Sequence, residues 1–205
     1  MSSKQPIFIT GIGTGVGKTV ISAIVTEKLK ADYWKPIQSG DLDNSDTLKV
    51  QSLVSNNVSR FFPEAYRLTQ PYSPHKSAAI DKIVIDMQNI IAPQTDNQLV
   101  IEGAGGLMVP LNDNFLIIDV IKQLNARVIL VSQNYLGSIN HTLLSLLALK
   151  KYNIPVMGII FNGDKDIYSK TYILDYSGVD ELGHIPTYDH INKKMVVEAG
   201  SFINI

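Results

Sequence analysis

Apolar residues along this 205-residue chain gather into short unbroken runs, and between the runs they recur at helical spacing. The runs Ile7-Phe8-Ile9-Thr10, Gln98 to Glu102, Arg127 to Ser132 and Pro155 to Phe161 have the length and apolar continuity of strands buried on both faces. Val20, Ile21, Ala23, Ile24, Val25 and Leu29 predict a helix ending near Ala31. Further helices are predicted from about Ile117 to Leu124, from Gly137 through Lys151, and over a short segment ending near Ala199, with looser helical spacing from Asp81 to about Ala92. Buried runs alternating with helical segments predict an α/β fold, an open and mostly parallel sheet with helices on both faces.

The breaks between these segments carry their own information. Tyr33-Trp34 leads into Lys35-Pro36-Ile37-Gln38-Ser39-Gly40, where Pro36 cannot donate to a central ladder and pushes Lys35 into extended geometry. Lys35 and Ser39 are thereby placed at a strand's exit, where open parallel sheets bind ligands. Asn44-Ser45-Asp46 ahead of Thr47-Leu48 resembles a helix start, and Asp46 reads equally well as a cap or as a metal ligand. From about Ser59 to Pro74, three prolines and several aromatics show little periodicity, so Pro71 to His75 reads as a structured surface loop over a site. No repeat, linker or low-complexity tract interrupts the chain, which predicts one domain over residues 1–205.

Composition narrows the partners. At 45% hydrophobic and 18% charged the chain is a folded globular one, and a formal net charge of −1 gives no footprint for nucleic acid or an anionic membrane. There is no cysteine, which removes disulfides, thiolate metal sites and cysteine nucleophiles. The four histidines show no ligand-like spacing. With no signal-peptide pattern in residues 1–5 and no apolar run near the ~18 residues that span a bilayer, the expected location is cytoplasmic.

The strongest chemical signal is Thr10-Gly11-Ile12-Gly13-Thr14-Gly15-Val16-Gly17-Lys18-Thr19, glycines between a strand and a helix that opens with Lys-Thr. Glycines let successive backbone N–H groups turn toward one anion, and the helix adds its positive N-terminal end, so a polyphosphate is held mainly by main chain. Lys18 would neutralise the β- and γ-phosphates, and the Thr19 hydroxyl would be one ligand of a magnesium ion. Scored strictly the P-loop pattern fails, because Ile12 stands where its first glycine belongs, with Gly11 and Gly13 on either side. A plain glycine-rich turn with an exposed lysine is the alternative, set aside because strand, Gly-x-Gly-Lys-Thr and helix occur in the right order; a dinucleotide fingerprint is set aside because Lys18-Thr19 stands where that motif wants small packing residues, so the reading is a nucleoside triphosphate and not NAD.

Glu102, at the end of its apolar run and followed by Gly103-Ala104-Gly105-Gly106, has the form of the second magnesium-site carboxylate of a P-loop protein; a strand-end acid facing water is the alternative. Gly137-Ser138-Ile139-Asn140-His141 opens a helix whose N-terminus could hold a carboxylate, although Ser138 and Asn140 serve equally as caps.

Several separated segments together resemble one family, the dethiobiotin synthetases. They are Gly11 to Thr19, Lys35-Pro36 with Ser39-Gly40, Asn44-Ser45-Asp46, Ser73-Pro74-His75, Glu102 to Gly106, Gly137 to His141, Asn162, and Gly183-His184-Ile185-Pro186, in order from Phe8 to about Pro186. In this family the loop's first glycine lies one residue earlier, which accounts for Ile12. The resemblance implies a P-loop NTPase-like fold and ATP-dependent carboxylation and ring closure of 7,8-diaminononanoate with carbon dioxide, in biotin synthesis. It implies magnesium as cofactor, with Thr19, Asp46 and Glu102 serving the ion. Lys18 and Lys35 would be catalytic, supplying charge where the carbamate and the transferring phosphoryl group are anionic.

By the same resemblance ATP would be bound by Gly13, Thr14, Gly15, Val16, Gly17, Lys18 and Thr19, by Asp46, by Glu102, Gly103, Ala104 and Gly105, and by Asn162, Gly163, Pro186, Thr187 and Tyr188. Thr14 and Ser39 would contact the substrate, and Gly137, Ser138, Ile139 and Asn140 would receive its carboxylate across the interface of a homodimer. Gly15 departs from members with an acid there. Partitioning and septum-positioning ATPase switches of the wider group are the alternative; they share a loop with an additional lysine near its start, and here that position is Gly13. A glutamine-dependent amide ligase would need a cysteine nucleophile, and a small-molecule kinase leaves Lys35, Ser39 and Gly137 to Asn140 unexplained.

Overall fold

A computed structural model describes residues 4–205. The first strand, β1 (Ile7–Gly11), is buried along its whole length and lies between two strands that come much later in the chain, β6 (Leu99–Gly106) and β7 (Arg127–Gln133). With β2 (Asp32–Trp34), β4 (Phe61–Phe62), β8 (Val156–Asn162) and β9 (Glu181–Ile185) they form a seven-stranded sheet in the order β4-β2-β6-β1-β7-β8-β9, every neighbouring pair parallel. This is the predicted α/β architecture. Burial on both faces explains why these strands read as unbroken apolar runs.

Alternate residues of β1 feed two different cores. Ile7 and Ile9 join Val100, Ile129 and Ile160 on one face, closed by Ile21, Ile24 and Val25 of α1 (Lys18–Leu29), Val50 of α2 (Asp46–Leu53) and Val196 of α7 (Lys193–Ala199). Phe8 joins Leu99, Ile101 and Val128 on the other, closed by Ile117, Ile118 and Ile121 of α4 (Ile117–Gln123) and Leu149 of α5 (Ser138–Lys151). Each fully buried isoleucine or phenylalanine of this kind contributes about 1.5–3 kcal/mol relative to an exposed one.

Several segments differ from their predicted form. Pro36 ends β2 at Trp34 as expected, but the chain then makes a second short strand, β3 (Ile37–Ser39), paired parallel to β5 (Tyr66–Leu68) in a separate two-stranded sheet. The stretch from Ser59 to Pro74, where little periodicity is read, thus holds two strands, β4 and β5, and of the loop expected at Pro71 to His75 the last two residues already belong to the next helix. Helix α3 (Pro74–Asp81) lies before the predicted Asp81 to Ala92 helix, because Lys82 ends it at φ 56, and the following apolar residues Ile85, Met87 and Ile90 are buried from irregular chain with one 3₁₀ turn at Met87–Asn89. Helix α1 stops at Leu29, short of Ala31, where Lys30 turns left-handed and donates to the Glu27 and Thr26 carbonyls.

The strand predicted to end at Glu102 runs on to Gly106. Helix α6 (Ile167–Ser177) is an element that apolar periodicity does not predict, since Ile173 is its single buried residue. Asp166 caps it by accepting from the Tyr168 and Ser169 amides.

Candidate active site

The β1–α1 turn builds an anion cradle. Gly17 sits at φ 90, a conformation that favours glycine, and a Cβ there would stand 2.2 Å from Asn162 Nδ2. Asn162, at the end of β8, donates to the Val16 carbonyl at 3.0 Å and ties the loop to a strand two places along the sheet. Lys18 folds back to donate to the Gly13 carbonyl at 2.8 Å. Burial lowers its pKa to about 8; the neighbouring Glu102 carboxylate works against that shift and the Lys35 ammonium adds to it.

Beside the loop, four side chains from four separate segments meet. Glu102 lies on β6, level with Ile9 of β1, and is almost fully buried. Its Oε1 accepts from Thr19 Oγ1 at 2.9 Å and from Lys35 Nζ at 3.1 Å. Lys35, just past β2, also donates to Asp46 Oδ2. Burial works against the Lys35 charge, but Glu102 and then Asp46 outweigh it and hold the ammonium pKa above its usual value. Asp46 is opposed likewise by desolvation, yet Lys35, with Lys49 at 3.6 Å from Oδ1, keeps its carboxyl below the usual range. One ammonium thus bridges two carboxylates.

Asp46 is the first residue of α2, and the cap is Ser45, whose Oγ accepts from the Leu48 amide. The cap reading of Asp46 is thereby corrected: its carboxylate is free to face the cleft. At α5 the N-cap is Gly137, at φ 103 and without a side-chain cap bond, so the reading of Ser138 and Asn140 as caps fails as well.

These groups line a cavity of about 610 Å³, together with Thr14, Gly15, Gly17, Lys18, Ser39, Ala104 and Gly105, and with Pro71 to Pro74 along one wall. Ser39 Oγ is buried and has no hydrogen-bond partner among the described residues. The Thr19 hydroxyl and the two carboxylates are oxygen donors of the kind a hard divalent cation takes, and magnesium is usually held by one or two carboxylates plus phosphates and water. The donor set fits the ion. Among the described residues no cluster of three His, Asp or Glu side chains exists, and here the third oxygen comes from a hydroxyl.

Gly13 and Val16 belong to the phosphate-loop turn and Gly103 to β6 beside Glu102, and none of the three lines the cavity. Asn162, Gly163, Pro186, Thr187 and Tyr188 gather at the ends of β8 and β9. The Gly163 amide donates to the Ile185 carbonyl at 2.8 Å, His184 Nε2 lies 2.8 Å from the Gly163 carbonyl, and Tyr188 packs on the core cluster that contains Val16. Gly137, Ser138, Ile139 and Asn140 are not brought to the cavity; they lie at the start of α5, with Gly137 and Asn140 exposed.

Two residues of the site are absent from the sequence-based candidates. Tyr33 donates to Glu102 Oε2 at 2.8 Å, and Gln38 accepts from the Asp46 amide at 3.3 Å while donating to the Gly40 carbonyl at 2.9 Å. Burial first, then the Glu102 carboxylate, pushes the Tyr33 phenol well above its usual pKa, so it remains a donor. In the sequence Tyr33 is one apolar-run aromatic among others, and Gln38 is one polar residue among Lys35, Ser39 and Gly40.

A family profile described as an AAA domain matches residues 5–195. The chain is 55% identical to an ATP-dependent dethiobiotin synthetase of Christiangramia forsetii over 93% of its own length and 92% of that protein's. It is 47% identical to one of Cytophaga hutchinsonii, over 92% of each chain. Among solved structures it is similar to a ParA family ATPase of Chlorobium tepidum, at a TM-score of 0.56 and 14% identity over 98% of this chain and 99% of that one. A MinC:MinD complex of Aquifex aeolicus matches at a TM-score of 0.55 and 18% identity over 96% of this chain and 86% of that one. At such identities the structural likeness shows the fold alone, that of P-loop ATPases.

Proposed function

The chain belongs to the dethiobiotin synthetase family and is an ATP-dependent ligase of biotin synthesis, and from that premise we propose how its residues divide the work. The substrates are ATP, carbon dioxide and 7,8-diaminononanoate. One amine nitrogen attacks the carbon of carbon dioxide and loses a proton, giving a carbamate. A carbamate oxygen then takes the γ-phosphoryl group and ADP departs. The second amine attacks the activated carbonyl, phosphate leaves, and the cyclic urea closes. No protein nucleophile is needed, so catalysis rests on placing positive charge and backbone donors where negative charge gathers.

The observation that carries this reading is the convergence of Lys18, Thr19, Lys35, Asp46 and Glu102 on one cavity beside the phosphate loop. The amides of Gly13 to Thr19 bind the polyphosphate, with Lys18 on its β- and γ-groups. Lys35 sits toward the carbamate and the migrating phosphoryl group. Thr19, Asp46 and Glu102 would hold a magnesium ion, which when bound would supply charge neutralisation of the phosphates. Gly103, Ala104 and Gly105 let the chain pass close to the nucleotide, and Asn162, Gly163, Pro186, Thr187 and Tyr188 form the adenine side. Ser39, with its unpartnered hydroxyl, and Thr14 meet the diamine.

As the family resemblance implies, Gly137, Ser138, Ile139 and Asn140 receive the carboxylate of a substrate bound in a second copy of a homodimer, a reading supported by their place outside this chain's own cavity. The whole chain acts as one synthetase domain in the cytoplasm, where ATP is supplied; among the described residues no helix is long and apolar enough to cross a membrane. The test is turnover of purified protein with ATP, magnesium, bicarbonate and 7,8-diaminononanoate, following phosphate and the cyclic urea by mass spectrometry. Product that requires every component is the expected result. Phosphate release indifferent to the diamine would overturn the reading in favour of an ATPase switch.

A further inference from the structure

Glu102 is the most enclosed charge in the cavity wall, 1% exposed, and its two oxygens are used differently. Oε1 faces Thr19 at 2.9 Å and Lys35 at 3.1 Å. Oε2 points the other way and accepts a single hydrogen bond, from the Tyr33 hydroxyl at 2.8 Å. The sheet register makes this contact. Tyr33 of β2 pairs with Val100 of β6, so Glu102, two residues further along, projects from the same face one step diagonally on. Lys35 follows Tyr33 by two residues on the same side. The pair therefore straddles the carboxylate, one donor to each oxygen.

The tyrosine is itself held in place. It is wholly excluded from solvent, and its ring lies 6.2 Å from that of Phe61, its cross-strand partner on β4. A phenol fixed in this way has little freedom to release the carboxylate. An O–H donor to an ionised carboxylate is among the stronger hydrogen bonds, and without it a buried carboxylate oxygen would stand unpaired.

We propose that Tyr33 is a positioning residue for metal binding: its hydroxyl anchors Glu102 Oε2 so that Oε1 is presented, in one orientation, to the cation held with Thr19 and Asp46. Tyr33 touches neither nucleotide nor diamine and acts through Glu102. The proposal rests on reading Glu102 as a carboxylate of the magnesium site. Partners behind metal ligands typically change metal affinity or activity by about 10–100-fold when removed.

The test is a double-mutant cycle of Tyr33→Phe and Glu102→Gln, read by manganese binding to the protein with a non-hydrolysable ATP analogue, by electron paramagnetic resonance, with thermal melts alongside. Tyr33→Phe keeps the ring against Phe61 and removes only the donor. The expected result is a loss of manganese affinity of about tenfold in Tyr33→Phe and a larger loss in Glu102→Gln. In the double variant the tyrosine change should add nothing. In turnover, Tyr33→Phe should raise the magnesium concentration at half-maximal rate and leave the diamine KM unchanged at saturating metal.

If Glu102→Gln weakens manganese binding and Tyr33→Phe does not, the role of Tyr33 is overturned and the metal site stands. If Glu102→Gln leaves manganese binding unchanged, the metal-site reading falls and the proposal with it. An equal effect of Tyr33→Phe in both backgrounds would show that it acts through the fold and would also overturn the proposal. Should the phenylalanine variant fold poorly, Tyr33→Met removes the same donor with an apolar side chain and is read through the same cycle.

Discussion

Asn162 and Val16 lie 146 positions apart in sequence and are joined by one hydrogen bond, from the asparagine amide nitrogen to the valine carbonyl at 3.0 Å. The bond locks the crest of the phosphate loop to the end of β8. It also fills the space beside Gly17, where any side chain would meet Asn162 Nδ2 at 2.2 Å.

Asn162→Ala should therefore weaken ATP binding by about two- to tenfold, the effect of losing one net hydrogen bond of about 0.5–1.5 kcal/mol. Gly17→Ala should do more, since a side chain at φ 90 costs about 1–3 kcal/mol in strain and must also displace Asn162. Calorimetric titration with ATP, with melting curves to confirm folding, checks both. Equal affinities in Gly17→Ala and the natural protein would contradict the cradle.

Lys35→Ala should cut turnover by about 10²–10³-fold, for loss of a charge aimed at the transferring group, while most ATP affinity survives. Lys18→Ala should damage both. The apo Lys35→Ala protein should also be less stable, by about 3–5 kcal/mol, because Asp46 and Glu102 then face each other without their shared cation. Magnesium should restore part of the melting temperature in this variant more than in the natural protein.

Asp32, at the opposite end of β2 from the site, sets an acid limit on stability. Its side chain is excluded from solvent and is met by the Arg60 amide at 2.8 Å, Arg60 Nη2 at 2.8 Å, and Thr95 Oγ1 at 2.7 Å. Burial alone would raise its pKa, but these donors, Thr95 foremost, hold it below the usual value. A depressed folded pKa means stabilisation that is complete above the unfolded value of about 3.9 and is lost as pH falls through the folded one. Asp32→Asn should destabilise by about 1–3 kcal/mol at pH 7 and by less near pH 3, as urea unfolding at the two pH values would show.

Gly40 is at φ 70, and a Cβ there would stand 2.7 Å from Pro71 Cα. Gly40→Ala should push Pro71 to Pro74, one wall of the cavity, outward. The expected result is a diamine KM raised by about tenfold or more, given about 1–3 kcal/mol of backbone strain, with ATP affinity little changed. Steady-state kinetics with each substrate varied in turn separates the two.

What could be read from the sequence tracks what buries apolar surface locally. Strands β1, β6, β7 and β8 stood out because both faces are covered, and α1 and α5 because each turns an apolar face to the sheet. Helix α6 stayed hidden because its tyrosines at 168, 172 and 176 are exposed and one isoleucine alone enters the core; only Asp166 at its start and Gly178 at its end, φ 64, mark it. Strands β3, β4 and β5 are two or three residues long and owe their form to cross-strand partners, which local pattern does not contain. At the site, the glycine loop with Lys18 and Thr19 was legible as a contiguous motif, and Lys35, Asp46 and Glu102 as strand-end or helix-start residues. The Tyr33 contact depends on a register between strands 67 positions apart and so could not be seen in the chain itself.

The place of β1 between β6 and β7 has a consequence for synthesis on the ribosome. The strand that opens the chain acquires its first hydrogen-bonded neighbour only when Leu99 to Gly106 has emerged, and its second only after Arg127 to Gln133. Until then Ile7, Phe8 and Ile9 have no sheet to enter, and the phosphate loop behind them has no scaffold. Nascent chains stalled before residue 99 should bind no nucleotide and should need shielding by chaperones, whereas ATP can capture the chain as soon as the central strands have closed.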